Sequence, residues 1–195
     1  EDDDEAATVT PSAGMAVVIS EVAWSGTTVG STDEWIELYN PGTVEIDITG
    51  WKLKDGSGEV TLAGKIAPGA FFILADNSGV FSTGTEPVTV NQTDSGLGLT
   101  NDGEILQLVD LLGNVIDTAN KDDGSWPAGD SATFASMERI VTEVDSDTAW
   151  YTNQGIERYG YDAGNNPIWG TPGKKNSTPP GPTATPTATS TATPI

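Results

Sequence analysis

The stretch Asp33-Glu34-Trp35-Ile36-Glu37-Leu38-Tyr39-Asn40-Pro41-Gly42 constrains this chain more than any other. A strand turns successive side chains to opposite faces, so Ile36 and Leu38 share one face and Trp35, Glu37 and Tyr39 the other. Asn40-Pro41-Gly42 then stops the run. Proline has no amide donor for a ladder, and glycine accepts the positive φ of a turn. The same grammar returns at Gly50-Trp51-Lys52-Leu53-Lys54-Asp55, with Trp51 and Leu53 inward and both lysines outward. Two alternating, aromatic-rich strands need a second sheet to cover their apolar face.

Most of the remaining chain keeps this period. Strands are predicted over residues 17–24, 44–48, 51–54 and 59–62, and residues 70–75 are apolar on both faces, as a central strand is. Val88-Thr89-Val90 is a short candidate. Asp102-Gly103 between the apolar runs 97–99 and 104–109 predicts a hairpin, and Leu112-Gly113-Asn114 turns the chain into residues 115–119. Residues 136–140 and 149–151 complete the core segments. Helical periodicity is absent. Roughly nine short strands separated by turn signals predict an all-β sandwich or barrel.

Composition limits the chemistry. A net charge of −21 with only eight Lys and Arg repels a polymer of phosphates, which excludes nucleic acid as an expected partner. No window approaches the ~20 apolar residues of a spanning helix, so no membrane insertion is expected. The chain has no Cys and no His. A Ser-His-Asp triad, a cysteine nucleophile and ordinary zinc sites are therefore out of reach. A Ser-Lys dyad lacks a suitable spacing, and abundant acids are a solvated surface before they are a glycosidase pair. No catalytic residue and no enzymatic activity are expected.

Glu37 could pair with Arg139, and the Asn40 side chain could bond the following turn. Ca²⁺ is the one cofactor this composition invites, since it takes carboxylate and carbonyl oxygens. Asp33, Glu34, Asp102, Glu104, Asp145 and Asp147 are the candidate ligands, although none of their clusters has the EF-hand spacing. Trp126, Tyr159, Tyr161 and Trp169 could form a sugar platform or close the ends of a sandwich.

Composition also divides the chain into an acidic extended arm (1–15), a sandwich (16–176) and a Thr/Pro-rich arm (177–195). The first arm opens with Glu1-Asp2-Asp3-Asp4-Glu5, a self-repelling block. Residues 178–195 contain seven Thr, five Pro and three Ala and no charge, the composition of an O-glycosylated stalk. Thr183, Thr185, Thr187, Thr189, Ser190, Thr191 and Thr193 are the candidate O-linked sites, with Asn91 and Asn176 as sequon asparagines. A start at Glu1 reads as a processed N-terminus. With the acidity and the Thr/Pro tail, it predicts a secreted, extracellular or cell-surface protein.

The strands resemble the lamin tail domain, an immunoglobulin-like module. The resemblance rests on Ile19-Ser20-Glu21-Val22, on the stretch 33–42, and on Ile48-Thr49-Gly50-Trp51-Lys52-Leu53-Lys54-Asp55. Further matches are Leu99-Thr100-Asn101-Asp102-Gly103-Glu104, Val115-Ile116-Asp117, Ser136-Met137-Glu138-Arg139 and Gly170-Thr171-Pro172-Gly173-Lys174-Lys175-Asn176. Residues 152–168 fit less well and read as an inserted loop. The resemblance implies an immunoglobulin-like β-sandwich used for attachment and assembly, with no catalytic residues to carry over. The expected function is that of an extracellular structural subunit whose copies join through their arms into a filament or surface layer. Ala7, Thr8, Val9 and Thr10 would add a strand to a neighbour's sheet edge. The alternatives are an adhesion or accessory domain of a larger secreted protein, and a module that binds Ca²⁺ or cell-surface glycans.

Overall fold

The computed structural model describes residues 17–181, apart from Ser57 and Leu97. The expected arm over residues 1–15 lies outside the described residues. So does the tail beyond Gly181, with Thr183, Thr185, Thr187, Thr189, Ser190, Thr191 and Thr193.

Twelve strands and one 3-10 turn make up the described fold. They are β1 (Val18–Ala23), β2 (Trp35–Tyr39), β3 (Ile46–Asp47), β4 (Lys52–Lys54), β5 (Glu59–Thr61), β6 (Lys65–Ile66), β7 (Phe71–Ala75), β8 (Gln92–Thr93), β9 (Leu106–Val109), β10 (Val115–Ala119), β11 (Met137–Arg139) and β12 (Trp150–Thr152). The 3-10 turn, Asp147–Ala149, leads directly into β12. A large sheet runs in the order β12-β11-β1-β2-β7-β8, a smaller one in the order β10-β9-β4-β5, and β3 pairs with β6. The fold is an immunoglobulin-like β-sandwich.

Alternation along β2 sets the layers. Ile36 and Leu38 join Ile19, Phe72, Leu74 and Met137 in a buried core, with Leu53, Leu106 and Leu108 of the smaller sheet opposite. Trp35 points outward, yet it is buried too, in a second cluster with Ile73, Ala75, Phe81 and Ile168. The large sheet is therefore covered on both faces. The outer cover comes from residues 80–90 and 157–177, so the segment 152–168 that reads as an insertion contributes to a structural layer.

A bulge between Ile19 and Glu21 shifts the pairing of β1 with β2. An extra residue turns the chain's alternation: Ile19 and Val22 both face the core, and Ser20 and Glu21 both serve the outer face. Opposite the bulge, Asp117 of β10 accepts a hydrogen bond from the Ile19 amide at 2.7 Å and an ion pair from Arg139 at 2.5 Å. This pair ties the two sheets together across the interior.

The expected pairing of Glu37 with Arg139 does not form. Arg139 follows Met137 by two residues and shares its core-facing side, whereas Glu37 points to the outer face. Arg139 pairs instead with Asp117 and lies 5.5 Å from the centre of the Trp150 ring. Asn40 behaves as its turn chemistry predicts: its Oδ1 accepts the Gly42 amide, and its Nδ2 donates to the Val44 and Ile66 carbonyls.

Two other expectations give way to side-chain capture of backbone amides. Asp102-Gly103 makes a turn but no hairpin, since residues 98–100 form no strand. Glu34 takes the Leu99 amide, and Glu104 takes the Thr100 amide, before any ladder forms. Residues 88–90 are likewise not a strand; the pairing falls at Gln92–Thr93, parallel to β7. The Leu112-Gly113-Asn114 turn does form, with Gly113 at φ 85°.

Candidate functional site: the strapped face of the large sheet

Glu138 of β11, Glu21 of β1 and Glu37 of β2 lie directly opposite one another on three adjacent strands. All three are fully buried on the outer face. Like charges in direct register repel, and neighbouring strands stand only about 4.8 Å apart, so the row needs compensation. None of the three is in an ion pair with a cation among the described residues; hydrogen-bond donors do the work.

Most of those donors come from one strap, Gly170-Thr171-Pro172-Gly173-Lys174-Lys175-Asn176-Ser177. The Thr171 amide donates to Glu21 at 2.9 Å, and its hydroxyl donates to Glu21 and to Glu138. The Gly173 amide donates to Glu37 at 2.6 Å. Ser177 donates both its amide and its hydroxyl to Glu138. Ser136, Ser20 and Asn153 complete the row by donating to Glu21, Glu37 and Glu138 respectively. Asn176 closes the strap, since its Nδ2 donates to the Ser20 and Arg139 carbonyls. The strap lies so close that a Cβ at Gly170 would stand 2.5 Å from Glu21 Oε1.

Burial sets the protonation of the row. It pushes the Glu37 carboxyl up to about 8, against the hydrogen bonds from Gly173 and Ser20 that favour the charged form. Burial, with repulsion from Glu138 and Glu37, also raises Glu21 well above the ordinary carboxyl range. Glu37 thus holds a proton at neutral pH. Every carboxylate of the row is engaged by hydrogen-bond donors, and the row fastens the strap to the sheet.

Beyond the strap the outer face is open. Tyr39 and Phe71, stacked with ring centres 4.8 Å apart, are only half-buried. A groove of about 430 Å³ runs beside β7, between Phe71 and the segment 87–89, and Tyr159, Gly173 and Lys174 border it. Lys174 rests over the Tyr159 ring at 4.5 Å.

The expected Ca²⁺ ligands are dispersed and mostly engaged. Asp33 accepts from Thr27 Oγ1 at 2.8 Å, and Glu34 from the Leu99 amide. Glu104 accepts the Thr100 and Gly56 amides. Asp145 accepts from Thr118, from the Lys121 amide and from the Trp150 indole. Asp102 and Asp147 are exposed on separate turns. Glu34 and Glu104 do come near enough to repel, and burial foremost raises Glu34 to about 7. Among the described residues no group of three or more acidic side chains could hold a metal ion.

Of the four aromatic candidates, Trp126 is buried and stacked against Trp24, and Tyr159 carries Lys174 over its ring. Asn91 is exposed, with its Oδ1 taking the Ile73 amide and its Nδ2 open to modification. Asn176 is different, because a glycan on its Nδ2 would break the two bonds that close the strap. Ala7, Thr8, Val9 and Thr10 lie outside the described residues. Among those residues, no helix is long and apolar enough to cross a membrane.

Sequence reasoning weighs Glu37 alone and misses the row it belongs to. For Glu138 the signal is present in Met137-Glu138-Arg139, where one acid falls on the outward period; for Glu21 the bulge after Ile19 hides it.

The Lamin Tail Domain family model matches residues 10–123, more than half of the chain. The chain belongs to the lamin tail domain family. That family is immunoglobulin-like and non-catalytic. No curated protein matches the chain. The match ends before β11, β12 and the strap, which complete the large sheet and its outer cover.

Proposed function

We propose that this lamin tail domain is a non-catalytic structural subunit of an extracellular filament or surface layer, and that its copies join through their terminal arms. The observation that carries the reading is the unfinished edge of the large sheet. β7 has five residues, and β8 pairs with only Leu74 and Ala75. An open edge accepts a strand from another chain. A contact from an arm on one copy to an edge on the next is head-to-tail, and such contacts repeat without closing. The strap supports the same reading: hydrogen bonds hold the chain against the outer face as far as Thr178, which bonds Glu157.

The acidic balance also shapes assembly. A charge of −21 opposes contact between copies, and salt or multivalent cations strengthen it by screening. Truncation tests the reading. The full chain, a form lacking residues 1–16 and one lacking residues 182–195 are imaged by electron microscopy in salt. Polymer from the full chain, lost or shortened in at least one truncated form, is the expected result. Equal polymer from all three would move the contact to a sandwich surface such as the exposed Leu111 and Leu112. No polymer from any of them would overturn the reading.

A further inference from the structure

We propose that the groove beside β7 receives the N-terminal arm of a second copy. Residues 6–10 pair as a strand with the free edge at Phe71, and the acidic block 1–5 lies against Lys174 and Lys175. This rests on the subunit reading above, and adds which arm engages, where it lands and what holds it.

The ladder shows which backbone groups are free. The Ile73 carbonyl accepts the Asn91 amide and the Ala75 carbonyl accepts the Asp94 amide, so odd-numbered residues of β7 point away from β2. Phe71 follows the same alternation. Its N–H and C=O face outward, and no partner among the described residues reaches them, because the chain arriving at β8 stays apart from β7 until Asn91. The gap between them is the groove, bounded by Phe71 on one side and Val88 on the other. Backbone donors and acceptors line one wall and an apolar side chain the other, which suits a strand of small residues. Ala6-Ala7-Thr8-Val9-Thr10 has that make-up.

Charge selects this arm over the other. Lys52 and Lys54 pair with Glu59, Lys65 with Glu45, and Arg139 with Asp117. Lys121, Arg158, Lys174 and Lys175 have no acidic partner among the described residues, and of these Lys174 borders the groove with Lys175 next to it. On a surface this acidic, two adjacent free lysines are a local attraction for Glu1-Asp2-Asp3-Asp4-Glu5. The Thr/Pro tail carries no charge and gains nothing from them. Val18, Tyr39 and Phe71 stand in register across β1, β2 and β7, so β1 starts two strands from this edge. A neighbour's arm is chosen over the chain's own because the subunit reading requires the arm to join one copy to the next.

The absence of cysteine gives a clean test. Full-length Thr8→Cys and Thr89→Cys variants are mixed under mild oxidation in polymerising salt, with Thr61→Cys on the smaller sheet replacing Thr89→Cys as control. The inference expects at least tenfold more cross-linked dimer with Thr89→Cys than with the control. Polymer without that enrichment overturns the inference and leaves the subunit reading standing, whereas no polymer at all overturns both. A Thr8→Cys/Thr89→Cys double variant that closes only on itself also overturns it, since the arm would then be the chain's own. In parallel, Lys174→Glu with Lys175→Glu is expected to abolish polymer while leaving the chain cooperatively folded, with at most a small drop in melting temperature from the lost Lys174–Tyr159 contact, because both side chains are exposed. Replacing residues 1–5 by lysines in that variant is expected to restore it. Polymer as abundant as that of the unaltered chain would remove the charge contact from the proposal.

Discussion

At Gly170 the closeness of strap and sheet comes down to one missing methyl group. A Cβ there meets Glu21 Oε1 at 2.5 Å and Ser136 Oγ at 2.8 Å, and both atoms are locked in a buried network. Gly170→Ala is therefore expected to cost about 1–3 kcal/mol through overpacking, read as a lower urea midpoint. Arg139 makes the opposite kind of demand. Burial pushes the Asp117 carboxyl above its ordinary range, and the guanidinium beside it pulls the other way. Removing that cation leaves a buried acid uncompensated. Arg139→Met should destabilise the sandwich by about 3–5 kcal/mol at neutral pH. The loss should shrink in acid, where Asp117 is protonated; a variant as stable as the unaltered protein at pH 7 would contradict the role given to this pair.

At the scale of elements, the strap and the three strands beneath it form one titrating unit. Glu37 ionises near 8 when folded, against 4.5 for an ordinary glutamate. The folded state therefore holds a proton that the unfolded chain has released. The stability this contributes is fully present below about pH 4.5, falls as pH rises through the interval, and is gone above about pH 8. Glu37→Gln should flatten that decline in chemical denaturation measured from pH 5 to 8.5. Its carbonyl can keep the Gly173 amide, while its amide donates to Ser20, whose hydroxyl turns to the residue-37 carbonyl it already approaches at 3.2 Å. An unchanged slope would assign the pH dependence to other groups.

Much of this architecture is legible in the chain, because period-2 patterning reports which face each residue takes. Ile36, Leu38, Trp51 and Leu53 fall where the alternation puts them, and so does the Asn40 turn. The strap is not legible in this way. Its contacts to Glu21 and Glu37 join residues more than a hundred positions apart, those to Glu138 more than thirty, and Thr171 or Gly173 looks like any turn residue until a carboxylate is placed opposite it. The bulge at Ser20 hides Glu21 for the same reason, since one extra residue overturns the face assignment downstream. The Asp102-Gly103 hairpin fails because Glu34 and Glu104, acids that read as surface or cation ligands, instead bind the amides a ladder would have used.

For the whole molecule, shape and charge pull in different directions. The sandwich presents an open edge, which invites a partner strand, and a strongly negative surface, which keeps copies apart. Salt should shift that balance, as screening weakens long-range repulsion while backbone hydrogen bonds at the edge persist. If arm-to-edge contacts turn this lamin tail domain into a polymer, sedimentation velocity should register it without labels or surfaces. The full chain and a form lacking residues 1–16 are compared at about 10 mM and about 150 mM salt, where the Debye length falls from about 30 Å to about 8 Å. The full chain should give large species that grow with salt, and the shortened chain a monomer at both concentrations. A full chain that stays monomeric throughout, or a shortened chain that assembles equally well, would contradict assembly through the arm.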